Sequence, residues 1–355
     1  MKRLIVCCDG TWNRPDQEDK GTPSPTNVVR LAFRVAKRDA GVPQILFYDQ
    51  GVGTGNALDR WTGGAFGAGL LDNIFDAYRF LVANYEAGDR LYVFGFSRGA
   101  YTARSLCGMI RKVGILKRAS VMDYANALAL YRRSDCRPDD EEPKRFRARH
   151  SIVGDEPIEI SFLGVWDTVG SLGIPLRGLR WITRRKYQFH DTELSGSVKR
   201  ARHALAIDER RGPFAPTLWS YKPKEGQTVE QSWFIGAHSD VGGGYPRFGL
   251  ADITLQWMME GAQQAQLAFD PEVERAHPLK PVPGADVTNS KKGLYRLTPG
   301  IDRPIGLCAG TEDDLDPTQD VHDTARNRWH ADERYEPPNL GEYLARTKDA
   351  PGLQA

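Results

Sequence analysis

At 355 residues the chain can bury a large core without a metal or disulfide staple, and 48 Lys and Arg against 46 Asp and Glu leave a net charge of +2, which supplies no electrostatic reason for a nucleic-acid partner. Cys7, Cys8, Cys107, Cys136 and Cys308 form no C-x-x-C pair, and the first three lie in apolar or helical runs, which points to a reducing compartment at synthesis. The N-terminal MKRLIVCCDG is too short in apolar residues for a signal-peptide core, and no window reaches the roughly 20 apolar residues of a membrane span, so a cytoplasmic origin is expected.

In chain order, Arg3 to Cys8 reads as a strand ending at Asp9 and Gly10. Asn27 to Lys37 reads as a helix behind a Thr26 or Asn27 cap, and Gln44 to Asp49 as a second strand. The glycine-rich run GVGTGNALDRWTGGAFGAG lacks the G-K-[ST] ending of a phosphate loop and does not cleanly meet the dinucleotide fingerprint, so no cofactor is expected. Leu70, Leu71, Ile74, Phe75, Tyr78, Leu81, Val82 and Tyr85 make an amphipathic helix that stops at Gly88. Leu91 to Phe96 is an apolar run of the kind buried on both faces of a sheet, and from Arg98 the apolar spacing becomes helical through Val113. A helical segment around Met122 to Tyr131, strands at Ile158 to Trp166 and Val229 to Ala237, and a helix at Leu250 to Gln266 follow.

This alternation predicts an α/β fold with a mostly parallel central sheet and helices on both faces, and such sheets place their sites at the carboxyl ends of strands. Residues 1–268 read as the core. Segments near 132–154 and 173–228 read as insertions, the second a candidate lid or cap, and residues 269–355 as an extension of loops and short elements packed on the core.

Within RLYVFGFSRGAYTAR, Ser97 stands between Gly95 and Gly99 where strand gives way to helix. A serine there is either an N-cap, accepting from the first helical turn, or the nucleophile of a tight strand-to-helix elbow. As nucleophile it needs a base, and the base an orienting carboxylate. Asp167 follows one strand in WDTVGS and His238 another in GAHSDVGGGY, and the order Ser, Asp, His is that of α/β-hydrolases. Asp167 also suits a plain turn or cap and His238 a structural imidazole, while His322 in DVHDTARNRWH competes as base. His150, His190, His203 and His277 give no site signal. The backbone N–H of Arg98 and that of Thr11, after Gly10, are candidate oxyanion donors, with Asp9 as a turn-forming support.

Two other readings stand beside this one. Asp9, Asp167, His238 and Asp240 offer oxygen and nitrogen ligands for a divalent cation in a metal-dependent phosphoesterase. Alternatively the fold is a non-catalytic binding module.

Six blocks in order, CCDGTWN, YDQGVGT, NIFDAYRFLVANYEAGDRLYVFGFSRGAYTAR, FLGVWDTVGS, ALAIDERRGPFAPTLW and GAHSDVGGGY, resemble the α/β-hydrolase domain shared by bacterial and fungal proteins and by the first family of type VI secretion lipase effectors. The likeness spans about residues 1 to 260. It implies phospholipase-like hydrolysis of carboxylic esters by a serine esterase triad, falling here on Ser97, Asp167 and His238, and so favours His238 over His322. It further implies a lipid or small ester substrate, peripheral membrane contact, and an immunity or delivery protein, with delivery by a type VI secretion system.

Overall fold

The period-2 alternation of the first strand sets up two cores at once. In the computed structural model, which describes residues 1–10, 13–51, 63–169, 193–220, 224–292, 295–296, 300–308, 311 and 314–348, Leu4, Val6 and Cys8 face one hydrophobic cluster while Ile5 and Cys7 face the other. The strand is β1 (Arg3–Cys8), and it is buried along its whole length.

The elements that follow are β2 (Glu18–Asp19), β3 (Thr22–Pro23), α1 (Asn27–Arg34), β4 (Arg38–Asp39), β5 (Val42–Asp49), α2 (Gly63–Asn84), β6 (Arg90–Phe96) and α3 (Arg98–Val113). Next come α4 (Tyr124–Arg132), α5 (Glu141–His150), β7 (Ile160–Trp166), β8 (Arg200–Ala206), β9 (Thr228–Phe234), α6 (His238–Gly242), α7 (Gly249–Gln264) and α8 (Pro271–Ala276). The chain then adds β10 (Gln319–Val321), α9 (Asp323–Ala331) and α10 (Pro338–Lys348).

Among the described residues the main sheet has eight strands in the order β10-β9-β8-β7-β6-β1-β5-β4, all parallel except the β4–β5 hairpin. Residues of α2, α3 and α4 pack on one face, and those of α1, α7, α9 and α10 on the other. The mostly parallel sheet clad on both faces is thus as the alternating pattern predicts. From β1 the chain goes first to β5 on one side and then to β6 on the other. The order therefore reverses between β1 and β6, and in open parallel sheets the crevice at such a reversal, beyond the strand carboxyl ends, is where ligands bind.

Two stretches depart from expectation. Within 173–228, the segment RARHALA is not an insertion but β8, paired to β7 and β9 in mid-sheet. Its strand character is masked by Arg202 and His203, whose polarity is absorbed by partners: Arg202 Nε sits 2.6 Å from Glu230 and its guanidinium lies over Trp257. Residues 173–192 of the candidate lid lie outside the described residues, as does most of the glycine-rich run. In the C-terminal extension, β10 adds an edge strand, and Tyr335, Leu340 and Tyr343 are buried in the core rather than lying over it. No helix among the described residues is long and apolar enough to cross a membrane.

Candidate active site

The β6–α3 junction is a left-handed turn at a non-glycine residue: Ser97 has φ 58° and ψ −119°. Such a conformation is costly for a residue bearing a Cβ and persists only where the surroundings enforce it. Here they do. A Cβ at Gly95 would lie 2.4 Å from the carbonyl oxygen of Gly99, and one at Gly99 would lie 2.2 and 2.3 Å from those of Cys8 and Asp9. The elbow is therefore pressed against itself and against the end of β1, with glycine at both flanks as the only residue that fits.

Ser97 makes no side-chain capping bond to the helix it precedes. Its Oγ instead lies 2.8 Å from His238 Nε2, and His238 Nδ1 lies 2.5 Å from Asp167 Oδ2. Ser97, Asp167 and His238 are all buried, and they come from the ends of β6 and β7 and the first residue of α6. An ionised carboxylate only accepts, so Nδ1 carries the proton and Nε2 presents a lone pair to the serine hydroxyl.

Each member is held by neighbours. Asp167, at φ 39°, accepts from Ala206 N at 3.1 Å and from both terminal nitrogens of Arg303 at 2.7 and 3.0 Å. Its backbone is tied by Asp167 N donating to Ala204 O and by Thr168 N donating to His203 Nε2. His238 lies between the rings of Phe96 and Phe214, at 4.6 and 4.9 Å, and its backbone N–H donates to Glu209. Asp240 accepts from Ala237 N and from Thr288 N and Oγ1, pinning the start of α6.

Burial opposes ionisation of Asp167, but the Arg303 guanidinium and the His238 hydrogen bond outweigh it and hold the carboxyl well below the usual range. His238 is shifted the other way. Burial pushes the imidazole below its ordinary value, against the raising effect of Asp167.

The remaining expected residues divide. A Cβ at Gly10 would sit 3.3 Å from Ser97 Cβ, so the exit of β1 passes beside the serine. Arg98 is the first residue of α3, where backbone N–H groups have no intrahelical acceptor. Thr11 lies outside the described residues. Asp9 is buried and accepts from Gly10 N, Asn13, Thr26 and Tyr48, which ties the exit loop of β1 to α1 and β5. His322 caps α9, accepting from Thr324 N, and stacks on Phe234 at 4.5 Å. Of the four residues that could have served as cation ligands, Asp167 and His238 bond each other, while Asp9 and Asp240 are each bonded to other partners. Among the described residues no group of three or more His, Cys, Asp or Glu is arranged to hold a metal ion.

Sequence reading missed Arg303, Glu209, Phe214 and the supporting role of His203. Glu209 and Phe214 do lie in ALAIDERRGPFAPTLW, one of the six blocks, so a signal existed for them. Arg303 in IDRPIG carries none.

An uncharacterised Saccharomyces cerevisiae protein, YEL023C, is 31% identical to this chain over 244 residues, covering 62% of the chain and only a third of the yeast protein. Among solved structures, an uncharacterised Pseudomonas aeruginosa protein is similar over 77% of this chain and 47% of its own, at 20% identity and TM-score 0.42. A Tle1 effector bound to the VgrG spike of the type VI secretion system is similar over 68% and 51%, at 21% identity and TM-score 0.40. The chain thus spans about a third to a half of these relatives. Residues 2–261 match the family described as the type VI secretion phospholipase effector Tle1-like catalytic domain, and the chain belongs to that family.

Proposed function

We propose that the protein is a serine hydrolase that cleaves carboxylic ester bonds of lipids, phospholipid above all. The observation that carries this reading is the relay of 2.8 and 2.5 Å from Ser97 through His238 to Asp167, built on a serine that caps nothing. Membership in a phospholipase effector family supports the lipid substrate. Contact with a membrane surface, delivery by a type VI secretion system, and an immunity or carrier protein belong to the same proposal.

In this reading His238 Nε2 takes the Ser97 proton as Oγ attacks the ester carbonyl, and Asp167 holds the tautomer and stabilises the imidazolium. The N–H of Arg98, at the positive end of α3, receives charge developing on the carbonyl oxygen, with the N–H of Thr11 as its proposed partner. His238 then returns the proton to the leaving alcohol, and water activated by the same ring releases the acyl group.

The test is a fluorophosphonate probe on wild type and Ser97→Ala, followed by p-nitrophenyl esters and phospholipid vesicles with and without a chelator. Wild type alone is expected to label and to turn over both substrates, whatever the chelator. Turnover that survives Ser97→Ala and is abolished by the chelator refutes the serine reading.

A further inference from the structure

The guanidinium on Asp167 comes from a part of the chain beyond the family match, and its placement demands a reason. We propose that Arg303 is a positioning residue of the hydrolase: acting through Asp167, it fixes the carboxylate that orients His238, so that the C-terminal extension completes the active site. This rests on the Ser97–His238–Asp167 reading and adds to it a residue outside residues 2–261.

The geometry is that of a built fork. Arg303 is fully buried, and its two terminal nitrogens each take one oxygen of Asp167. The same nitrogens donate to the carbonyls of Ala206 and Phe214, so the guanidinium is locked to the end of β8 and to the turn whose Phe214 ring abuts His238. Its own carbonyl accepts from Asn339 of α10 at 3.1 Å, and Asn339 also donates to Ile207 O. Two parallel bonds set the plane of the carboxylate, which one bond from Ala206 N does not. With that plane set, Oδ2 meets His238 Nδ1.

The fork also sets the charge balance. With Arg303 present, Asp167 is already neutralised, and protonating His238 creates an extra buried positive charge. Without it, the same proton would neutralise a lone buried carboxylate and be welcomed. Among the described residues, the other charged groups that act on His238 are Glu209 and Arg211, from the chain after β8, and Asp240 lies on its own helix. Glu209 and Arg211 pair with each other through two bonds, and Asp240 is turned onto Ala237 N and Thr288. His203 on β8 faces Asp167 as a neutral ring, since burial pushes its pKa down to about 3. Arg303 is thus the charge that decides the balance at Asp167.

The experiment is a pH profile of kcat and kcat/KM on a soluble p-nitrophenyl ester for wild type, Arg303→Met, Arg303→Lys, Asp167→Asn and the Asp167→Asn/Arg303→Met pair, with Ser97→Ala as control. Arg303→Met should lower kcat about 10- to 100-fold near neutral pH with KM little changed, and move the acid limb of kcat/KM upward by about 1 to 2 pH units. Arg303→Lys keeps the charge but not the fork, so its limb should stay in place while kcat falls; it decides the matter if Arg303→Met does not fold. On the Asp167→Asn background Arg303→Met should remove little further activity, because the two act as one unit. A wild-type limb in Arg303→Met, wild-type kcat in Arg303→Lys, or full multiplicative losses in the pair would each overturn the proposal while an inactive Ser97→Ala left the serine reading intact. An active Ser97→Ala would overturn both.

Discussion

Asp167→Asn exchanges one carboxylate oxygen for an NH2 at the point where four donors converge: His238 Nδ1, both Arg303 nitrogens and Ala206 N. If the amide nitrogen occupies the Oδ1 position, it faces Ala206 N and Arg303 donor to donor. If it occupies the Oδ2 position, it opposes Arg303 and can be met by His238 only through the tautomer with its proton on Nε2. That tautomer has no lone pair for the Ser97 hydroxyl, and an amide cannot stabilise the imidazolium. The expected loss is about 10⁴-fold in kcat, or about 5 kcal/mol of transition-state stabilisation. Leaving Arg303 buried without its anion removes a further ~3–5 kcal/mol of folding stability. The assay is kcat on a soluble ester beside thermal denaturation and the rate of fluorophosphonate labelling. A folded Asp167→Asn protein that loses less than about tenfold in kcat would refute the reasoning.

Gly99→Ala puts a Cβ 2.2 Å from the Cys8 carbonyl, a backbone atom at the end of a central strand that cannot swing aside, so the elbow must shift. A loss of about 1–3 kcal/mol in denaturant unfolding is expected, together with weaker probe labelling, and unchanged stability would contradict the close approach. Asp9 is lifted by burial from 3.8 to about 6, against the hydrogen bonds from Tyr48, Thr26, Gly10 and Asn13. Because its folded pKa is the higher one, its contribution to stability is present below about pH 4 and is lost as pH rises through about 6, a change of up to about 3 kcal/mol. Asp9→Asn should abolish that slope, and a stability difference between wild type and variant that stays constant from pH 4 to pH 7 would count against it.

Local patterns carried the frame. The alternation in RLIVCC, the apolar run before Ser97 and the helical spacing after it depend on neighbours in sequence, so β1, β6 and α3 were legible to within a residue or so. So were the strand ends bearing Asp9, Ser97 and Asp167. What failed were elements whose polarity is cancelled from afar. β8 reads as polar because Arg202 and His203 are covered by Trp257, Glu230 and Trp219. The C-terminal extension reads as loose because its buried Tyr335, Leu340 and Tyr343 are spaced among charges.

From the sequence alone came the parallel α/β plan, the glycine-flanked turn, and the three residue types suited to a proton relay. The tertiary structure decided that the serine bonds an imidazole instead of its own helix, that the ring at 238 rather than 322 reaches it, and that an arginine 136 residues downstream of Asp167 holds the acid. The reason is one of range. Periodicity and turn chemistry are set within a few residues, whereas the partner of a buried charge is set by which distant segments the sheet brings together.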